Sequence, residues 1–140
     1  MRLLGLLLLF SLCASAAARA QSTTASEVPQ GGLPADKLER MEVGDPSRRL
    51  PDAEKHDLCR LFVRTHVLSI KGGGQGQFLS TRAPVYRLFA ANFPGVTARE
   101  REGGSLIYLG EVVRYINSMP DYKQDVISVL RENAGKKKCR

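Results

Sequence analysis

The stretch DAEKHDLCRLFVRTHVLSIK, residues 52–71, decides how the rest of the chain is read. Leu58, Leu61, Phe62, Thr65 and Leu68 recur at helical spacing, and Val63, Val67 and Ile70 widen the stripe. Asp52 and Glu54 suit the positive end of a helix dipole, and Lys71 suits the negative end. Leu50-Pro51-Asp52 stands as a start and Gly72-Gly73-Gly74 as a stop. The β-branched run from Val63 to Ile70 makes a strand the competing reading. The spacing predicts a helix over 52–71.

Working outward, Ser80 or Thr81 can cap a second helix that runs to about Asn92, with Val85, Leu88, Phe89 and Phe93 as its apolar face. Pro84 falls in its first turn, where a missing N–H costs little. Pro94-Gly95 breaks the chain, and Arg99 to Gly104 is a polar loop. Ser105 is a good N-cap for a third helix carrying Leu106, Leu109, Val112, Val113, Ile116 and Met119, stopped by Pro120. Asp121 can cap a fourth, lined by Tyr122, Val126, Val129 and Leu130 and closed at Asn133-Ala134-Gly135. No alternating stretch is long enough to argue a sheet. The pattern predicts an all-α fold: a small bundle of about four helices over residues 51–140, ending in the basic tail Lys136-Lys137-Lys138-Cys139-Arg140.

The segment from Leu109 to Met119, following Phe93-Pro94 and a loop, resembles the second helix of basic helix-loop-helix factors. The basic DNA-contacting run of that family has no counterpart before the first helix. Gly103-Gly104-Ser105 stands where the family has Lys-Ser-Lys, so the resemblance brings no DNA-binding residue with it.

The N-terminus sets the compartment. Arg2, an apolar run from Leu3 to Cys13 and small residues at Ala18 and Ala20 have the three-part layout of a signal peptide over residues 1–20, cut before Gln21. The run is shorter than the roughly 20 apolar residues a membrane span needs. No other stretch is long enough, so no transmembrane segment is expected in the mature form. Residues 21–50 are poor in large apolar side chains and rich in Ser, Thr, Pro, Gly and charge, which predicts a disordered acidic leader. A helical turn or two is expected within Ala35–Met41. None of Asn92, Asn117 and Asn133 opens a glycosylation sequon.

With Cys13 removed alongside the signal peptide, Cys59 and Cys139 remain, and an oxidising compartment predicts one disulfide between them. A loop that long is worth about 4 kcal/mol in the chain-entropy model. Charge is uneven: residues 21–57 hold eight acids and five bases, residues 58–140 hold 14 bases and six acids, and the whole chain carries +7. A basic extracellular domain favours anionic partners: sulfated glycans or other polyanions, anionic lipid, acidic protein faces. Nucleic acid is not expected in that compartment. Arg60, Arg64 and Lys71 recur on one face of the first helix and, with Lys136, Lys137 and Lys138, are the candidate anion-binding residues. Arg48-Arg49 is a dibasic pair of the kind cut in secreted precursors.

Signals for catalysis are poor. His56 and His66 lie ten apart on one helix, so they point about 80° apart and three turns separate them. No Cys/His cluster offers a metal site, no nucleophile elbow is present, and the Gly72–Gly76 run lacks the Lys-Ser/Thr that opens a phosphate loop. No catalytic residue, cofactor or metal is expected. The function expected from sequence is a secreted, non-enzymatic binding or signalling factor acting through an extracellular or cell-surface protein, with an anionic co-partner. The alternative is an extracellular carrier of a small apolar ligand, which requires an interior pocket of about 300 Å³ or more.

Overall fold

The computed structural model describes residues 31–73, 77–96, 100–101 and 104–135. The signal peptide (1–20), residues 21–30 of the leader, and the tail with Lys136, Lys137, Lys138 and Cys139 lie outside them. In chain order the elements are α1 (Ala35–Glu39), α2 (Asp52–Lys71), β1 (Phe78–Ser80), α3 (Pro84–Asn92), β2 (Glu100–Arg101), β3 (Gly104–Tyr108), α4 (Leu109–Ser118) and α5 (Lys123–Gly135).

The helix predicted over 52–71 is α2, and the strand reading of Val63–Ile70 is not realised. Its apolar stripe buries Leu58, Cys59, Leu61, Phe62 and Val63, with Thr65 and Ser69 beside them. Phe62 meets Phe89 of α3 with ring centroids 5.0 Å apart, and Phe89 stacks on Phe93 at 4.6 Å. Large-to-small changes at such sites cost about 3–5 kcal/mol. Leu109, Val112 and Ile116 bring α4 into the same core, and Val126 and Val129 bring in α5.

The all-α expectation is corrected by a small antiparallel sheet of three strands in the order β1-β3-β2. Phe78 pairs with Tyr108, Leu79 with Ile107 and Ser80 with Leu106. Glu100 pairs with Ser105 and Arg101 with Gly104. The ladder continues where the backbone N–H of Leu109 donates to the Gln77 carbonyl at 2.8 Å and that of Thr81 to the Ser105 carbonyl at 2.9 Å. Residues 105–108 were expected to begin a helix because the third stripe starts at Leu106. They are extended because a strand far away in sequence supplies their backbone partners, and this is invisible to any local pattern. Ser105 therefore caps nothing, and α4 begins at Leu109. Gly104 sits at φ +131°, a left-handed conformation that glycine adopts at little cost. Ser80 ends β1, where its hydroxyl accepts the Arg82 N–H at 3.2 Å, and α3 begins later at Pro84.

The expected disorder of the leader is corrected for residues 33–50. Ala35, Leu38, Val43 and Leu50 are all buried in the core, and α1 falls within the expected helical turn. The Leu33 N–H donates to Thr65 Oγ1 at 3.3 Å. Gly32 passes so close to α2 that a Cβ there would stand 2.7 Å from Arg64 Cβ. Asn92 clips the leader's end to α3: its Oδ1 accepts the Leu50 N–H at 2.8 Å, while its Nδ2 donates to the Arg48 carbonyl at 3.0 Å. Average composition cannot see that the few apolar residues of this segment stand where the core needs them.

The expected Cys59–Cys139 staple is also corrected. Cys59 is a free thiol, wholly buried on α2, and no disulfide is formed among the described residues. The pairing followed from compartment and cysteine count alone. In the fold Cys59 serves as a small apolar core side chain.

Candidate contact surface at the ends of α2 and α5

Helices α2 and α5 lie side by side and run in the same direction. His56 and Arg60 meet Asp125, Arg64 meets Glu132, and Lys71 meets Asn133, in matching order along both helices. At the N-terminal end the Asp125 carboxylate, 5% exposed, is the shared acceptor. Its Oδ1 accepts from Arg60 Nη1 at 2.7 Å and its Oδ2 from His56 Nδ1 at 2.7 Å. Arg60 also donates to Asp57. Burial opposes its charge, but the two carboxylates more than offset this and raise its pKa. Tyr122 stacks on His56 with centroids 4.6 Å apart.

The Asp125 carboxylate is shared by His56 Nδ1 and Arg60 Nη1, so this end joins α2 to α5 through one acceptor. Burial, and then the negative charge of Asp125, raise the Cys59 thiol well above its ordinary range, which keeps it protonated. No group of His, Cys, Asp and Glu among the described residues could hold a metal ion.

The candidate anion-binding residues are thus placed as follows. Arg60 and Arg64 face α5 and meet carboxylates, whereas Lys71 donates to the neutral Asn133 amide at 3.2 Å. They do not converge on one open anion site. The dibasic pair lies in ordered chain: Arg48 donates to the Val43 carbonyl, and Arg49 to the Ala91 carbonyl at 2.8 Å. Two hollows open to solvent meet at Ser80 and Arg82. One, of about 470 Å³, is walled by α1 and the start of α3, and the other, of about 430 Å³, by Gly104, Ser105 and Leu106. Neither is the closed apolar interior that the carrier alternative requires.

The other end of the pair has a different character. Leu68 is 44% exposed, Ile70 55%, Phe78 40% and Leu130 51%. Leu68 and Ile70 stand in the last turn of α2. Leu130 precedes Asn133, the partner of Lys71, and Phe78 opens β1 just beyond the connection that leaves α2. Phe78 contacts Tyr108 at 5.4 Å, and Tyr108 contacts His66 edge-on at 6.1 Å. Burial lowers the His66 pKa, and its Nδ1 is buried with no hydrogen-bond partner among the described residues, so this ring adds no charge at neutral pH. Sequence reasoning placed Leu68 and Ile70 within a core stripe. Only the three-dimensional packing shows that the core stops short of them.

Compared with known proteins, the chain matches no family model, no curated protein and no solved structure. No helix among the described residues is long and apolar enough to cross a membrane.

Proposed function

We propose that this protein is a secreted binding factor that acts by surface contact outside the cell, through the end of the molecule where α2 and α5 finish. The observation that carries this reading is the exposure of four large apolar side chains: Leu68 and Ile70 in the last turn of α2, Leu130 on α5 and Phe78 at the start of β1. Large apolar side chains left in water beside a well-filled core are available for contact with a partner. The charge of residues 58–140, with 14 bases and six acids, supports an anionic component in the partner. Secretion rests on the charged, apolar and small-residue sequence of residues 1–20.

Two measurements test the reading. N-terminal sequencing of protein recovered from the medium should begin at Gln21, and a chain kept in cells with Met1 intact removes the extracellular role. Cross-linking of the secreted chain to intact cells should yield adducts that vanish for an Ile70→Ser, Phe78→Ser double variant. Adducts unchanged in that variant move the contact surface elsewhere.

A further inference from the structure

We propose that Gly135 is a modification site: the bases that follow it are cut away and the glycine is then oxidised, so that the mature chain ends in a carboxamide on Ala134. This rests on the reading that the chain is secreted, because the chemistry belongs to the secretory pathway. Gly135 closes α5, yet neither backbone nor packing calls for a glycine there. A glycine at a helix end ordinarily takes the left-handed conformation. Gly135 does not: the described glycines with positive φ are Gly44, Gly73, Gly95 and Gly104. A Cβ built on Gly135 would meet nothing within 4 Å, so no neighbour excludes a side chain. Glycine is also a poorer helix former than alanine. The fold gives no reason for glycine at 135, but the residues after it do. Lys136, Lys137 and Lys138 follow directly. A glycine followed by paired bases is the sequence on which secreted chains acquire a C-terminal amide.

The steps balance as follows. Water cleaves the peptide bond after Lys138, and a carboxypeptidase removes the three lysines with one water each, leaving Gly135 as a carboxylate. A copper monooxygenase then uses dioxygen and a two-electron reductant of the ascorbate type. One oxygen atom enters a Cα–H bond of Gly135, and the other leaves as water. The hydrogen replaced is the one whose place a side chain takes in an L residue, so only glycine serves. The Gly135 N–Cα bond breaks, the hydroxyl proton passes to the nitrogen, and glyoxylate leaves the Ala134 carboxamide behind.

The structure favours this site over the other basic run, Arg48-Arg49. There Asn92 bonds both the Arg48 carbonyl and the Leu50 N–H, Arg49 donates to the Ala91 carbonyl, and Leu50 is buried. A protease must draw such a segment out of its contacts. Ala134 and Gly135 are exposed, beyond the Lys71–Asn133 link. A carboxylate kept on Gly135 would stand at the negative end of the α5 dipole, where no base lies in the last turn, and the carboxamide is neutral. The discarded tail carries Cys139 with it, which accords with Cys59 being a buried free thiol. Residues 58–134 keep ten bases against six acids, so the domain stays basic.

The test is expression of the full chain in neuroendocrine cells, which contain these enzymes, and mass spectrometry of the product in the medium. Cleavage before aspartate should release Asp125–Ala134, matching the synthetic carboxamide in mass and retention. A copper chelator in the culture should replace it with the peptide ending at Gly135 as the acid. Gly135→Ala should abolish the amide, with secretion and far-ultraviolet circular dichroism unchanged, because the site accepts a Cβ. Should that variant stay in the cells, replacing Lys136, Lys137 and Lys138 by Gln gives the same comparison, since the chain then keeps its tail and carries no amide. Secreted wild type that begins at Gln21 but keeps the lysines, or ends at Gly135 as the acid without chelator, overturns the proposal and leaves secretion standing. So does a product cut at Arg49 with its tail intact. A chain kept in cells with Met1 intact removes the secretion reading and the amide with it.

Discussion

The two ends of the α2–α5 pair share the same helices and little else. At one end a single buried carboxylate, Asp125, holds His56 and Arg60, with Asp57 and Tyr122 closing around them. At the other the helices are joined by the exposed Arg64–Glu132 pair and a lysine–amide contact, and large apolar side chains face water. Buried charges are costly to leave unpaired, so the first end sets how the helices align. The second end has no such constraint, and its side chains are available for contact. The contrast separates the part of the interface that fixes the fold from the part that can change without loss of the fold.

Removing Asp125 should break the comparison at its strong end. Asp125→Ala leaves Arg60 and His56 without their acceptor and should cost about 3 kcal/mol of stability in denaturant unfolding. The same variant should hasten alkylation of Cys59, which the native fold keeps buried and protonated. A loss below about 0.5 kcal/mol would rank this cluster with ordinary surface ion pairs.

Next in size is Asn92→Ala. It leaves the Leu50 N–H and the Arg48 carbonyl without their described partner and should cost about 2 kcal/mol. It should also open the Arg49–Leu50 bond to trypsin under native conditions. Equal cleavage of wild type and variant would mean that the clip does not hold the leader's end.

Much of this was legible in the sequence where local pattern decides the structure. Residues 52–71 carry their own period and their own start and stop, and α2 matches them. The failures share one cause, which is partners far apart in sequence. Three residues, Phe78–Ser80, are too few to show a strand's alternation, and only their pairing with Leu106–Tyr108 makes either segment extended. Leu38 and Leu50 look isolated until α2 and α3 are placed beside them. At the candidate surface, the spacing of Arg60, Arg64 and Lys71 puts them on one helix face, but nothing local shows that this face meets α5 or that acids more than sixty residues later meet two of them. Asp125 could have been noticed as an acid beside the apolar positions Val126 and Val129, though nothing local names its partners.

A smaller effect should appear with pH at His66. Burial holds its folded pKa below the ordinary 6.5, so below that pH the unfolded chain binds a proton that the folded chain resists. Stability from this group is therefore full above pH 6.5 and is lost as the pH falls from there toward the folded value. His66→Phe should flatten that part of the curve in denaturant titrations across the range. An unchanged slope would assign the acid sensitivity to other groups.

The smallest expected effect is at the open end. Ile70 is 55% exposed and Leu130 is 51% exposed, so most of each side chain has already been left in water by folding. Ile70→Ser and Leu130→Ser should each change stability by no more than about 0.5 kcal/mol, the range of ordinary surface substitutions. Stability near wild type is what the contrast between the two ends demands, because the described links at this end, Arg64–Glu132 and Lys71–Asn133, are exposed and do not involve these side chains. A loss near that of Asp125→Ala would show that these side chains bear on the fold, and the division of the helix pair into a fixed end and a presented end would fail. With stability retained, any loss of binding in the same variants reports on the surface alone, because the protein that fails to bind is still folded.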